Sequence, residues 1–220
     1  MATITTTSII TKVTTLLQDS TNIRWTQSEL LDWLNDGQRE IVMYKPNACV
    51  KNVDVTLVAG TKQTLPADGI SMIDIPRNTN GNAVRVTNRQ VLDAQIPDWH
   101  SASKQNAVVK HYCYTPNDPR TFYVYPPSPG GNSVEIIYCA SPAAATLGSV
   151  ISIDDIYATQ LINYVTYRAY SKDAEYAENA AFAQTYYQAF VNQITGKATA
   201  ETVTDPNTHI KGDPNLPNRV

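Results

Sequence analysis

Two segments near the start of the chain repeat apolar residues at helical spacing. In the first, between Ser8 and Gln18, the pattern predicts a short amphipathic helix. Its apolar face comprises Ile9, Ile10, Val13, Leu16 and Leu17. Several threonines precede this segment, and threonine is a poor interior helix residue but a good N-cap. We therefore expect the helix to begin within this threonine run.

The second segment carries a strong helix start signal. Thr26 and Glu29 have the spacing of a capping box, in which each side chain accepts a hydrogen bond from the other residue's backbone N–H. Trp25 and Leu30 stand at the positions of a hydrophobic staple around this box. The apolar residues that follow at helical spacing are Leu30, Leu31, Trp33, Leu34, Ile41 and Val42. Pro46 is predicted to end this helix, because proline has no N–H to donate.

From Lys51 to about residue 140 the apolar period shortens to that of β-strands. Apolar and polar residues alternate over Val53–Leu57, Gly60–Lys62 has the composition of a turn, and Gln63–Pro66 runs back. This pattern predicts a β-hairpin.

Three later runs in the same region are also strand-like. They are Val108–Tyr114, Thr121–Tyr125 and Val134–Cys139, and short loops rich in proline, glycine and asparagine join them. Consecutive strands with short connections predict an antiparallel meander.

The helical period returns near Ser152, where Asp154 and Asp155 precede the apolar positions of a third helix. A break at Ser171–Asp173 separates it from a last long helix, for which Asp173 is the predicted N-cap. Gly196 stands where a glycine commonly ends a helix. Residues 197–220 contain three prolines and scattered apolar residues. This composition predicts an extended or disordered tail.

The order of these elements predicts an α+β fold. Residues 1–50 and 150–196 would form a small α-helical bundle from two N-terminal and two C-terminal helices. Residues 51–149 would form an antiparallel β region inserted into that bundle, and residues 197–220 would form the C-terminal tail. An inserted β domain accounts for the order helix–strand–helix better than two consecutive domains do.

Composition limits the possible partners of this chain. Its 220 residues have a formal net charge of −3, whereas strong nucleic-acid binders usually carry a basic excess. No run approaches the roughly 18 apolar residues of a membrane helix, and the N-terminus lacks the pattern of a secretory signal. We therefore expect a soluble, intracellular protein without a membrane partner. The odd number of cysteines, three, predicts buried, reduced thiols.

Catalytic chemistry finds little support in the sequence. None of the three histidines, His100, His111 and His209, has a neighbour at a spacing that predicts a catalytic triad or a metal site. Asp154 and Asp155 are adjacent carboxylates, but they are better explained as favourable charges at a helix N-terminus. The sequence thus argues against an enzyme and predicts no cofactor and no metal.

One loop offers a candidate anchor for a partner protein. Trp99 lies between Pro97, Asp98 and His100, and loop aromatics that cannot reach a core often dock on partners. The alternative is that Trp99 folds back onto the sheet, and the sequence leaves both possibilities open. Thirteen tyrosines against three phenylalanines likewise suit either contact surfaces or half-buried strand positions.

Four blocks of this sequence resemble bacteriophage head-to-tail adaptor (connector) proteins, including the tail tubular and adaptor ring proteins of short-tailed phages. Residues 23–41 are similar to the family's opening RW-x-x-x-ELL-x-WLN-x-x-QREI. Residues 54–69 resemble its first hairpin, residues 118–127 its middle strand, and residues 167–177 its C-terminal helical hairpin. The resemblance covers residues 8–195 in the expected order.

The resemblance implies a structural protein of the virion neck or tail that assembles in the host cytoplasm. Such adaptors form homo-oligomeric rings, usually of twelve copies, beneath the portal protein. They continue the DNA channel without binding DNA specifically and seat the tail tube or nozzle protein, with tail fibres as possible further partners. Their helical bundle and tail meet the portal, while the β region meets neighbouring copies and tail components. No catalytic residues come with the family.

On this basis the candidate interface residues fall into two groups. The first is aromatic and lies in the β region: Trp99, His100, Tyr123 and Tyr125. The second lies in the tail: His209, Ile210, Leu216 and Arg219. Two other functions compete with the adaptor ring. A tail-associated binding module that contacts tail fibres or nucleic acid is the first, and steeply salt-dependent DNA affinity would favour its nucleic-acid form. A small virion-borne enzyme is the second, and a bound metal or activity lost on changing His100 or His111 would support it.

Overall fold

The computed structural model describes residues 2–173 and 175–204, with the backbone alone for residues 197–204. The fold is α+β, with five α-helices and two β-sheets in this part of the chain. It forms two compact units. The helical unit takes the residues up to Lys45 and from Ala144 onward, and the sheet unit takes Pro46–Ala143. The helices are α1 (Thr6–Leu16), α2 (Gln27–Tyr44), α3 (Arg89–Gln95), α4 (Ala158–Lys172) and α5 (Ala177–Thr204).

The first two helices confirm the sequence prediction. Thr5 is the N-cap of α1, and its hydroxyl accepts a hydrogen bond from the N–H of Ser8. The capping box of α2 is complete, because Thr26 and Glu29 each accept a hydrogen bond from the other residue's N–H. Trp25, the predicted staple residue, is buried and donates its indole N–H to the carbonyl of Ala169 at 3.2 Å. The α2 helix ends at Tyr44, shortly before Pro46.

The C-terminal helices differ from the prediction at two points. Asp173 does not cap α5, which begins at Ala177. Instead it ends α4, and its carboxylate forms an ion pair with Arg24 at 2.7 Å. Gly196 does not end α5, which continues to Thr204, so the first eight residues of the predicted tail are helical. A glycine inside a helix costs only about 1 kcal/mol relative to alanine, and good helix formers on either side can offset this. Residues 205–220 lie outside the described residues.

Within the helical unit, α4 packs against α1, α2 and α5. A glycine permits the close approach of α2 and α4. A Cβ atom added to Gly37 would lie 2.9 Å from Cδ1 of Tyr164 and 3.2 Å from Cδ2 of Leu161. Because both of these side chains are buried, they have little room to move, and α2 therefore needs glycine at this position.

The sheet unit contains seven strands: β1 (Val50–Thr56), β2 (Gly60–Thr64), β3 (Gly69–Asn78), β4 (Arg85–Val86), β5 (His111–Thr115), β6 (Asp118–Ser128) and β7 (Ser133–Ala140). The first sheet has the order β1-β7-β3, and the second has the order β2-β6-β5-β4. The two sheets pack with β3 against β6. Between them, the hydroxyl of Tyr112 donates to the Asp74 carboxylate at 2.6 Å.

The predicted hairpin of β1 and β2 is wrong, because these strands belong to different sheets. The intervening residues turn a corner that Gln63 holds together. Its buried amide accepts from the N–H of Val58 at 2.9 Å and donates to the carbonyls of Val58 and Gly60 at 2.8 and 3.1 Å. The chain is thus directed into the second sheet instead of folding back along β1.

The predicted meander is half correct. The β5 and β6 strands pair antiparallel as expected, but β7 pairs with β1 and β3 in the other sheet. The β region is also not wholly antiparallel, since β4 pairs in parallel with β5. Sequence alternation identifies a strand but does not say which strand will pair with it, because pairing depends on distant residues.

Helix α3 was not predicted. Its seven residues are too few for a clear periodic signal, yet Asn88 caps it by accepting from the N–H of Gln90 at 2.9 Å. Leu92 on α3 is buried together with Trp99 and Cys113. Helix α3 and the loop after it therefore cover the face of the second sheet that carries Cys113.

Three buried side-chain amides each hydrogen-bond both the N–H and the C=O of one loop residue. We call them amide clamps. Gln63 clamps Val58, as described above. Asn78 accepts from the N–H of Val109 at 2.9 Å and donates to its carbonyl at 2.7 Å. Asn35 on α2 accepts from the N–H of Ala145 at 2.8 Å and donates to its carbonyl at 3.0 Å. Ala145 follows directly on the point where the chain re-enters the helical unit.

The start of the chain is held by a carboxylate. Asp155 accepts from the N–H of Thr3 at 2.8 Å, from the N–H of Ile4 at 2.9 Å and from the hydroxyl of Thr3 at 2.6 Å. These hydrogen bonds, led by the one from the Thr3 side chain, lower the pKa of Asp155. The neighbouring Asp154 instead caps the short 3-10 helix Asp155–Tyr157 by accepting from the N–H of Ile156 at 3.1 Å.

Replacing Asn35 with alanine is expected to lower the free energy of unfolding by about 2–4 kcal/mol, because it leaves the buried N–H and C=O of Ala145 without a partner. Urea unfolding followed by circular dichroism measures this change. The matched control is Asn192→Ala, which removes an exposed amide from α5 and should change stability by less than about 0.5 kcal/mol. Equal effects of the two substitutions would show that the clamp contributes nothing specific.

Asp155 should make the protein acid-sensitive. A lowered carboxyl pKa stabilises the fold above the unfolded value, near 3.8, and this stabilisation is lost as the pH falls through the folded pKa. We expect Asp155→Asn to lower Tm at pH 6, and we expect the difference from the wild type to shrink as the pH falls below 3.8, measured by thermal unfolding. The control Asp32→Asn alters an exposed carboxylate of α2 and should leave the pH dependence intact. Parallel curves for Asp155→Asn and wild type would contradict this role.

Candidate functional site

Four of the predicted interface residues meet on the face of the second sheet that α3 covers. Tyr123 and Tyr125 lie two residues apart on β6 and are half-buried. The ring centroid of Trp99 lies 6.2 Å from that of Tyr123 and 6.5 Å from that of Tyr125, both edge to face. The ring of His100 is 6.0 Å from Tyr123. The sequence prediction therefore selected residues that form one cluster.

Trp99 itself is fully buried. Its indole N–H donates to the carboxylate of Asp93 at 2.8 Å, and its ring packs with Leu92 and Cys113. The structure thus favours the alternative in which Trp99 folds back onto the sheet. An exposed anchor would need the ring in solvent, whereas the hydrogen bond to Asp93 satisfies the one polar atom that burial would otherwise leave unpaired.

His100 is exposed and links the loop to the edge of the sheet. Its ring lies 3.7 Å from the ring of Trp99, and its Nδ1 lies 2.7 Å from the hydroxyl of Thr61 on β2. The contact with Thr61 orients the His100 ring, but a general base also needs a reacting group within reach. In the residues that the structure describes, no group of three His, Cys, Asp or Glu side chains could hold a metal ion.

The remaining predicted residues give no further site. His209, Ile210, Leu216 and Arg219 lie outside the described residues. All three cysteines are buried as free thiols, and burial raises the pKa of Cys49 and Cys113. A raised pKa leaves these thiols protonated and poorly nucleophilic, which fits packing rather than chemistry.

The helical unit carries a second aromatic cluster, between α4 and α5. Tyr164 contacts Phe190 with ring centroids 5.1 Å apart, and Tyr167 contacts Tyr187 at 4.8 Å. The hydrogen bond between the hydroxyls of Tyr187 and Tyr44 is the main cause that raises the pKa of Tyr187 to about 12, and burial is the second cause. These rings supply the packing between the two helices, and part of the tyrosine excess is thereby accounted for.

The outward side of α5 is the surface that the sequence analysis missed. Residues 179–196 contain no charged side chain over 18 positions. An exposed stripe runs along this segment at helical spacing, and we call it the α5 stripe: Ala181, Thr185, Gln188, Asn192 and Thr195. Beside it Phe182 is 51% exposed. Interface centres are poor in charge, so this uncharged run was a readable signal.

The hydroxyls of the α5 stripe are already bonded within the helix. Thr185 donates to the carbonyl of Ala181 at 2.9 Å, and Thr195 donates to the carbonyl of Val191 at 2.9 Å. Covering these residues with another protein would leave no hydroxyl donor without a partner. The two threonines are therefore inexpensive to remove from water, whereas the amides of Gln188 and Asn192 would have to hydrogen-bond across the contact.

The chain contains no helix, among its described residues, that is long and apolar enough to cross a membrane. A search of curated proteins finds no match to the chain. A protein-family model, described as SU10 adaptor protein, matches residues 4–209 and so extends over both units. This match confirms the family resemblance inferred from the four sequence blocks. The chain therefore belongs to the SU10 adaptor protein family, a family of structural adaptors of the bacteriophage virion.

Proposed function

We propose that this protein forms a ring that joins the phage portal to the tail and continues the DNA channel. The family match over residues 4–209 is the observation that carries this proposal. It covers the helices, both sheets and part of the segment after α5, which supports a role that uses nearly the whole chain. A structural family also favours this role over that of a virion-borne enzyme.

In this proposal α1, α2, α4 and α5 act as one helical bundle made from residues 1–50 and 150–196, and residues 51–149 act as an inserted β domain. The packing of α4 against the other three helices supports the bundle. Each domain would then have a separate task. The bundle and the C-terminal residues would meet the portal, and the β domain would meet neighbouring copies and the tail tube or nozzle. The bundle would add a further contact between copies through α5.

Ring formation requires each copy to contact two neighbours through different surfaces, with a rotation that closes. A stable contact of this kind buries at least about 1,000 Å². The α5 stripe is our candidate for the centre of one such surface. It is uncharged, its threonine hydroxyls are satisfied, and Phe182 at its side supplies an exposed aromatic ring.

The end of α5 is our candidate for portal contact. The side chain of Asn163 bonds that of Gln193 at 3.3 Å, and Tyr164 meets Phe190, so α4 and α5 run antiparallel. In this register α5 extends past Ala158, the first residue of α4, before it ends at Thr204. Its last turn and residues 205–220, which include His209, Ile210, Leu216 and Arg219, would then be available to a groove of the portal.

DNA would pass through the ring without specific recognition. The formal net charge of −3 gives no excess of cations for phosphate neutralisation. A channel wall with little net attraction would let the duplex slide during packaging and ejection. Host cytoplasm is the proposed site of assembly, and twelve copies is the number that the resemblance implies.

A single charge on the α5 stripe should disrupt the ring. Gln188→Glu keeps the size and helix propensity of the side chain but adds a charge that the contact would have to desolvate. We expect at least a tenfold loss of portal-bound rings, which corresponds to roughly 1.4 kcal/mol or more. Electron micrographs of the protein mixed with its portal would provide the count. Gln105→Glu, at an exposed position of the sheet unit, is the control and should form rings normally. Rings of normal abundance with Gln188→Glu would exclude the stripe from the contact.

Truncation after Thr204 should abolish portal binding while the thermal unfolding temperature stays within about 2 °C of the full chain, since the removed residues follow α5 in the sequence. A pull-down on the portal, combined with thermal unfolding, measures both effects. A chain in which residues 205–220 are scrambled controls for length, and it should bind as poorly as the truncated chain. Undiminished binding by either variant would count against this role of the C-terminal residues.

A further inference from the structure

The short strand β4 forms one open edge of the second sheet. The N–H of Arg85 donates to the carbonyl of Lys110 at 3.0 Å, and the N–H of Thr87 donates to the carbonyl of Tyr112 at 2.8 Å. Because residues alternate sides along a strand, the N–H and C=O of Val86 point away from β5. The side chain of Val86 is 65% exposed. Two residues earlier, the outward N–H of Val84 donates to the carbonyl of Pro76 on β3 at 3.1 Å, so the open part of this edge begins at Val86. From that residue onward the edge can accept another strand.

Two grooves flank this edge. One has a volume of about 660 Å³ and runs from Val86 past Arg89 to Tyr114. The other has a volume of about 400 Å³ and includes Arg85 and Lys110. Among the described residues, those that line the grooves include three cations and no aspartate or glutamate. The edge is thus locally positive on a chain whose net charge is −3.

These cations also differ from others in the sheet unit. Lys51, Arg77 and Lys104 form close ion pairs with Asp68, Glu135 and Asp98. Arg85 and Lys110 are exposed and have no carboxylate within ion-pair distance in the described part of the chain. Arg89 forms an ion pair with Asp93, but its distance of 3.6 Å is longer than those of the other pairs. The edge therefore retains positive charge that a partner could neutralise.

We propose that the β4 edge binds an extended acidic segment of another virion protein, which adds to the second sheet as a fifth strand. The backbone groups of Val86 would pair with the segment's main chain, and Arg85, Arg89 and Lys110 would pair with its carboxylates. This mode combines main-chain hydrogen bonds with side-chain selection. A peptide fits the open backbone groups better than duplex DNA does, since phosphates could use the cations but not the strand edge. The proposal does not depend on ring formation.

The test uses the full chain and a fluorescein-labelled peptide of sequence Thr-Glu-Val-Glu-Val-Glu-Thr, followed by fluorescence anisotropy. We expect saturable binding that weakens with salt. Lys110→Glu should weaken it at least tenfold. Lys62→Glu, which makes the same charge change on β2 at the opposite edge of the sheet, should leave it within about twofold. Val86→Pro should also weaken binding tenfold, because proline removes the outward N–H while an edge strand tolerates it.

A second probe tests the backbone contribution on the unaltered protein. The same peptide, N-methylated at alternate residues, keeps its carboxylates but loses strand donors, and it should bind at least tenfold more weakly. Equal binding of the two peptides would reduce the site to charge attraction and overturn strand addition. Tighter binding of a short DNA duplex that is lost in Lys110→Glu would assign the edge to nucleic acid. The absence of peptide binding up to about 1 mM would also overturn the proposal.

Discussion

Burial of backbone polar groups is the constraint that shapes this chain, and the three amide clamps satisfy it where regular structure cannot. A loop that enters a core must find partners for its N–H and C=O. Asn35, Gln63 and Asn78 each supply both partners from one side chain. Gln38 extends the Asn35 clamp, because its amide donates to the side chain of Asn35 at 3.1 Å and accepts from the N–H of Ser152 at 2.6 Å. Residues 145–152 are thereby fixed to α2, and α4 follows from a defined starting point.

The two surfaces proposed for partners differ in their electrostatics. The α5 stripe is uncharged and would associate through shape, hydrogen bonds of its amides and contact with Phe182, which salt affects little. The β4 edge carries unpaired cations and would attract a partner over a longer distance, at a strength that salt reduces. One surface suits permanent contact between copies, and the other suits recruitment of a further component.

Local signals made α1 and α2 predictable, since the capping box at Thr26 and the threonine cap of α1 act within four residues. The strands were recognisable by alternation, but β1 could not be assigned to β7 because the paired residues are far apart in sequence. The corner held by Gln63 looked like a hairpin turn for the same reason. At the site, the four aromatic candidates were selected by residue type, but their meeting in one cluster was not predicted. The burial of Trp99 depends on Asp93 and α3, which gave no clear signal. The open edge at β4 could not be predicted from the sequence, because the parallel pairing of β4 with β5 joins residues that are far apart in the chain.

The indole of Trp25 bonds to Ala169, a residue 144 positions later in the sequence. During synthesis, α1 and α2 therefore leave the ribosome long before α4 exists to cover them. The sheet unit, which is complete once Ala143 has emerged, can fold first while the apolar faces of these two helices are still bare. Roughly 110 residues separate the end of α2 from the start of α4. At about 5–20 residues per second, their synthesis takes roughly 6–20 s. Chaperone protection of the nascent chain would be needed most in that window.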